Sequence, residues 1–222
     1  MVDLWFARLN ASEPFSPEQF EWLDGYEIER YLLIKDETKA KRFAAAHIAL
    51  RQILGNYLNV RPFDIEFYSN QYGKPFINGG PAFSLSHSSD GILIAISARG
   101  TIGVDLERIK TVDFQSILCD ICSVSELKRI SQYPYNYINW LRFWVRKEAA
   151  VKALGTGLQS LGDVAIPFHS KKSDYFRVIL RQDGDIKFWY LYDLDIPYGF
   201  MASIVTNQAR IVKPIKIVDI FS

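Results

Sequence analysis

The sequence predicts a mixed α/β (α+β) protein, with small, mainly antiparallel sheets set against long helices. Three observations predict it. Two stretches, about Asp36 to Leu58 and Tyr137 to Leu154, carry apolar residues at helical spacing. A hairpin pattern runs from Phe83–His87 through Asp90-Gly91 to Ile92–Ile96. Strand-like runs broken by short turns occupy the last third of the chain. At 222 residues there is room for one large domain or two small ones; two halves would meet near 105–112 and pack tightly.

The elements follow in order. Val2 to Leu9 reads as a strand, and 16–34 as one helix opened by Ser16-Pro17. The next helix places Phe43, His47, Leu50, Ile53, Leu54 and Tyr57 on its apolar stripe and leaves Lys39, Arg42 and Arg51 on other sides. A short strand at Ile65–Tyr68 precedes a Tyr72-Gly73-Lys74-Pro75 turn. The Asp-Gly hairpin and an Arg99-Gly100 turn lead into Thr101–Glu107, which completes an antiparallel meander. A helical stretch near 114–121 comes next, then a capping box at Ser123-Val-Ser-Glu126. Gly155-Thr-Gly157 stops the second long helix. Strands near 175–181, 186–192 and 199–205 close the chain, with Asp183-Gly184 as a turn.

Composition narrows the function. Hydrophobic residues make up 49% of the chain, which marks a globular protein. A net charge of +1 argues against non-specific attraction to nucleic acid. No apolar run approaches the roughly 20 residues of a membrane span, and no secretory signal is visible at the start, so a cytoplasmic protein is expected. Cys119 and Cys122 have redox-motif spacing. Phe114, Ile117, Leu118 and Ile121 recur around them at helical spacing, so both read as small apolar residues of an amphipathic helix.

The chemistry concentrates in two segments. In Gly103-Val-Asp-Leu-Glu107 strand alternation points Asp105 and Glu107 to one face and Val104 and Leu106 to the other. In Trp144-Val-Arg-Lys-Glu-Ala-Ala-Val-Lys152, Glu148 and Lys152 lie one helical turn apart, with Trp144 on the same stripe and Lys147 pointing elsewhere, towards the surface. Together they offer three carboxylates and an amine, the donor set of a hard divalent cation with a phosphate substrate. Alone, Glu148 and Lys152 read as a surface pair, and His87 as a core histidine or a phosphate donor. Ser86 and His87, as strand neighbours, face opposite ways, and no Gly-x-Ser-x-Gly elbow exists, so a serine hydrolase is not indicated.

In order and spacing, Tyr72-Gly-Lys-Pro75, Phe83-Ser-Leu-Ser-His-Ser88, Gly103–Glu107 and Trp144–Leu158 resemble the four signature blocks of 4′-phosphopantetheinyl transferases. The match is to the longer, two-lobed type that activates peptide and polyketide synthetases, whose archetype is the surfactin-synthetase activator. The resemblance implies two similar lobes, 1–105 and 106–222, related by a pseudo-twofold axis, with coenzyme A in the cleft between them. It implies Asp105, Glu107 and Glu148 as ligands of Mg²⁺, with Mn²⁺ as an alternative. His87 and Lys152 fall on phosphate contacts. Gly73, Lys74, Pro75 and Ser86 fall on contacts to the co-substrate, and Lys39 and Arg51 on basic positions near its 3′-phosphate and adenine. One departure is Asp36 or Glu37 where the family has a second basic position.

The expected reaction is attack by a serine of an apo acyl or peptidyl carrier protein on the β-phosphorus of coenzyme A, releasing 3′,5′-ADP. Mg²⁺, Lys152 and His87 would stabilise the leaving charge, and Glu148, directly or through a metal-bound water, would take the serine proton. The segment from about Phe114 to Ser131, with Lys128 and Arg129, is expected to meet the carrier. One chain holding both lobes can work as a monomer, without nucleic acid or membrane. A Mg²⁺-dependent pyrophosphohydrolase and a binding module without chemistry stay open as other classes.

Overall fold

A computed structural model describes residues 1–9, 15–110, 121–132, 136–168, 175–182, 185–208 and 215–217. It shows the expected mixture of mainly antiparallel sheets and helices, with one parallel pair, β1 with β10. The first sheet has the order β10-β1-β5-β4, from Lys216–Ile217, Val2–Arg8, Gly91–Ser97 and Ala82–Ser88. The second is β6-β9-β8-β7, from Ile102–Arg108, Phe200–Thr206, Asp185–Leu194 and Phe176–Gln182. A two-stranded ribbon pairs β2 (Tyr68–Ser69) with β3 (Pro75–Phe76).

Period-two alternation builds four layers. Ile92, Ile94 and Ile96 of β5 share a core with Ala45, Ala49, Ile53 and Leu54 of the long helix α3 (Glu37–Leu58). Their strand neighbours Leu93 and Ala95 face the other way, into a core with Val104, Leu106, Ala202 and Ile204 of the second sheet. That sheet's far side, with Val178, Trp189, Leu191 and Val205, packs on Phe143, Val145, Ala149 and Ala153 of helix α5 (Tyr137–Leu154). The order is therefore helix, sheet, sheet, helix.

Several sequence expectations are corrected here. The region expected as one helix over 16–34 is two, α1 (Pro17–Phe20) and α2 (Gly25–Leu33), because Asp24 starts a new helix with a capping box to Glu27. The hairpin turn is Ser89-Asp90, with Ser89 at φ 54°, and Gly91 is already paired in β5 opposite Ser88. Strand β6 does not continue a meander; it pairs with β9. On α3, the expected Leu50, Ile53 and Leu54 are buried together with Ala44, Ile48 and other residues, whereas Phe43 and His47 are half-buried and Tyr57 is exposed. Residues 114–120 of the expected helical stretch, with Cys119, and the Asp183-Gly184 turn lie outside the described residues; Cys122 is buried beside Ile121 and Ile130.

Two charges placed at the surface by the pattern are in the interior. Arg51 is fully buried and bonds Glu27 (Nε–Oε2 2.6 Å), Asp24 (2.6 Å) and the carbonyls of Pro62 and Ile65. Lys147 is also fully buried, donating to Glu126 (2.7 Å) and the Val164 carbonyl (2.6 Å). Glu126 belongs to the short helix α4 (Val124–Ile130), whose Ser123 capping box is formed as expected. In both places a glutamate in the third helical position of a capping box receives a basic side chain from a long helix.

The two sheets meet through hydroxyls. Ser84, Ser86 and Ser88 of β4 accept the amides of Val104, Leu106 and Arg108 of β6 at 3.0, 3.2 and 3.2 Å. These amides face away from β9, and a serine every second residue satisfies them. Ser84→Ala leaves the Val104 amide buried and unpaired; a loss of about 1–3 kcal/mol in a urea titration is expected, and an unchanged midpoint would show that the seam contributes nothing.

Candidate active site

A cleft of about 880 Å³ opens beside the seam. Asp105 and Glu107 reach it from β6, on the face opposite Val104 and Leu106. Glu148, Val151 and Lys152 reach it from α5, and Ser86 and His87 from β4. Gly103 lets these elements come together. A Cβ there would lie 2.1 Å from the Ala153 nitrogen and 2.2 Å from the Ala149 carbonyl oxygen, so any side chain would push α5 off β6.

At the cleft floor Lys152 Nζ lies 2.7 Å from Asp105 Oδ1 and 3.0 Å from Ser86 Oγ, while Ser86 donates to the same Oδ1 at 2.8 Å. Ser88 donates to Glu107 Oε2 at 2.5 Å. Asp105 is buried, and its Oδ2 has no hydrogen-bond partner. Burial raises Glu107, with the charge of Asp105 adding to it. Burial also pushes Glu148 up to about 7, helped by repulsion from Asp105 and Glu107 and opposed by Lys152. The His87 side chain is exposed at the cleft surface; partial desolvation there, then the positive charges of His47, Lys152 and Arg42, hold its pKa below the ordinary imidazole value.

Among the described residues no three His, Cys, Asp or Glu side chains stand close enough to hold a metal as they are. The chemistry of the donors nonetheless fits a hard cation: three carboxylates facing one cleft, two of them raised by burial and mutual repulsion, and a buried carboxylate oxygen without a partner.

Gly73, Lys74 and Pro75 also line the cleft, and the Lys74 amine is engaged by backbone carbonyls. It donates to the carbonyls of Ile102 (3.0 Å) and Ala153 (3.1 Å), and Asn70 beside it donates to the Gly155 carbonyl (2.8 Å). The turn thus clamps the C-terminal end of α5, where unsatisfied carbonyls gather. Lys39 is exposed and lies off the cleft. Arg51, expected near the 3′-phosphate, has its buried guanidinium held by Glu27, Asp24 and two carbonyls. Residues the sequence reading passed over line the wall nearest α2 and α3, namely Tyr26, Arg30, Phe43 and His47. Arg30 lies inside the region that reads as one helix, and Phe43 and His47 fall on the apolar stripe of the next.

A family model for the 4′-phosphopantetheinyl transferase superfamily matches residues 101–205, the span that contains Asp105, Glu107, Glu148 and Lys152. The 4′-phosphopantetheinyl transferase HetI of Nostoc is 31% identical over 173 residues, covering 74% of this chain and 73% of that protein. The gsp transferase of Aneurinibacillus migulanus is 31% identical over 58% of this chain and 53% of its own length. Sfp of Bacillus subtilis is 28% identical over 66% and 62%. The chain belongs to the 4′-phosphopantetheinyl transferase family, and it is a transferase.

Burial lowers Lys74 from 10.5 to about 8. Between pH 8 and 10.5 the unfolded chain therefore holds a proton that the folded chain has released, so Lys74 makes stability rise with pH across that window. In Lys74→Met this rise should vanish: urea midpoints of wild type should gain on the variant from pH 8 to 10. Parallel curves would place the amine in solvent instead.

Proposed function

We propose that the protein transfers the 4′-phosphopantetheine group of coenzyme A to a serine hydroxyl of an apo acyl or peptidyl carrier protein, releasing 3′,5′-ADP. The carrying observation is the convergence of Asp105, Glu107, Glu148, Lys152 and His87 on one cleft. In this reading the cleft lies between two lobes, 1–105 and 106–222. The carrier serine oxygen bonds to the β-phosphorus, the bond from that phosphorus to the bridging oxygen breaks, and the electron pair leaves with 3′,5′-ADP.

Glu148 faces the cleft from α5 and takes the serine proton. Lys152, already held by Asp105 and Ser86, donates to the pyrophosphate oxygens. His87, neutral before the substrate enters, adds a second hydrogen bond. Asp105, Glu107 and Glu148 would hold Mg²⁺, or Mn²⁺ in its place. When bound, the cation neutralises charge on the pyrophosphate. The serines of β4 and the clamp at Gly155 keep these groups in register by fixing β6 and α5.

The carrier docks on the segment from about Phe114 to Ser131, which contains α4, whose last turn presents exposed Lys128 and Arg129; residues 114–120 of that segment lie outside the described residues. No helix among the described residues is long and apolar enough to cross a membrane. A cytoplasmic, monomeric enzyme that uses neither nucleic acid nor membrane completes the proposal.

With coenzyme A, Mg²⁺ and an apo carrier, the carrier mass should rise by one phosphopantetheine group. Asp105→Asn should lower turnover by about a hundredfold or more, and Glu148→Gln at full turnover would remove Glu148 as the base. No mass gain with any of a panel of fatty-acid, polyketide and peptide carriers would overturn the proposal. Charge reversal at Lys128 and Arg129 should raise KM for the carrier and leave that for coenzyme A unchanged; equal changes in both would move the docking surface elsewhere.

A further inference from the structure

The second sheet ends at β7, whose strand partner among the described residues is β8 alone. Every second residue of β7 therefore turns its N–H and C=O away from the sheet. Beside that edge runs a groove of about 760 Å³, with Tyr175–Ile179 on one bank, Ala165–Pro167 on the other and Arg129 of α4 in its lining. Val178 packs towards α5, whereas Ile179 is 54% exposed on the opposite face. A groove that touches both lies along the edge of the strand and not over either face. Five residues at the rise of a strand span about 17 Å. None of the groove's residues belongs to the cleft.

The far bank is anchored elsewhere. The Ile166 amide donates to Glu126 Oε1 at 2.8 Å, and the Pro167 carbonyl accepts Arg146 at 2.8 Å. Among the described residues no backbone bond joins this bank to β7, so the slot stays open. Its charged groups are Arg129 and Arg177, the latter lying over the Phe188 ring at 4.3 Å, and among the described residues no acid lines it. Ile179 stands opposite the exposed Phe188, so the outer face offers an apolar spot with Arg177 two residues along. A second copy fits this slot poorly. Pairing β7 with β7 about a twofold axis would gather the guanidiniums of both copies in one place. A strand that carries acids meets the opposite condition.

We infer that β7 takes an extended, acidic segment of a partner protein as an added strand. Backbone hydrogen bonds along the edge of β7 hold the segment. An apolar side chain lies beside Ile179, and a carboxylate two residues along meets Arg177. The inference is independent of the transfer reading, because it uses no residue of the cleft.

The probe is a capped, fluorescein-labelled peptide, Thr-Glu-Val-Val-Val-Glu-Thr, whose symmetry sets a Glu opposite Arg177 in either strand direction. Its anisotropy should saturate on titration with the full chain. An N-methyl group on the central Val and one on its neighbour should differ, because only one of those N–H groups faces β7. Arg177→Glu should weaken binding about tenfold and come to prefer the same peptide with Lys in place of Glu. Thermal melts identify a variant that does not fold, and Arg177→Gln serves in its place with the same direction of change. No saturable binding to wild type, equal loss from both N-methyl groups, or indifference to the charge swap would each overturn the inference. A wild-type dimer in sedimentation that the peptide dissociates would also overturn it, by assigning the edge to a second copy.

Discussion

The amides of β6 that point away from β9 are the constraint on which the rest of the structure depends. An edge strand with unpaired N–H groups inside a protein must find acceptors. Here they come from three serine hydroxyls of β4, spaced by the pleat, and not from backbone carbonyls. A side chain is longer than a backbone contact allows, so the two sheets stay separate while their edges remain coupled. One of these serines also donates to Asp105, and another to Glu107. The groups that join the sheets are therefore the groups that orient the carboxylates, and the architecture and the site share atoms.

The opposite face of β6 imposes a second condition. The backbone of α5 lies so close to Gly103 that a Cβ would overlap it, and this brings Lys152 within hydrogen-bonding distance of Asp105. The helix is then held at its end by Lys74 and Asn70 and at its middle by the buried Lys147–Glu126 pair. Breaking a buried pair by removing one partner strands the other charge, which is why such contacts hold position more firmly than their net energy suggests. The Arg51–Glu27 pair does the same for α3, and through His47 it extends that rigidity to the cleft wall.

Much of the site was legible because strand and helix periods report facing directly. Alternation through Gly103–Glu107 set Asp105 and Glu107 apart from Val104 and Leu106, and the cleft lies on the face that carries the acids. The stops at Gly155 and the capping box at Ser123 were equally local. Arg51 and Lys147 were misplaced for the converse reason. Periodicity asks where apolar residues fall, and a charge whose partner sits 24 or 21 residues away on another helix looks like a solvated one. Lys74 is similar, because a lysine in a tight turn gives no sign that two carbonyls lie within its reach.

Residue pattern alone was enough for the mixed antiparallel and helical class, the extents of the two long helices and the shared facing of Asp105 and Glu107. These depend on neighbours within one turn or one pleat. Only the tertiary structure decided that β6 leaves the hairpin to pair with β9, that Lys74 clamps a helix end, and that Arg51 lies inside with His47 at the cleft surface. Each of those outcomes turns on which distant group satisfies a buried charge or amide. Local spacing carries no information about that choice, because the cost of leaving such a group unpaired is settled only once the layers have closed.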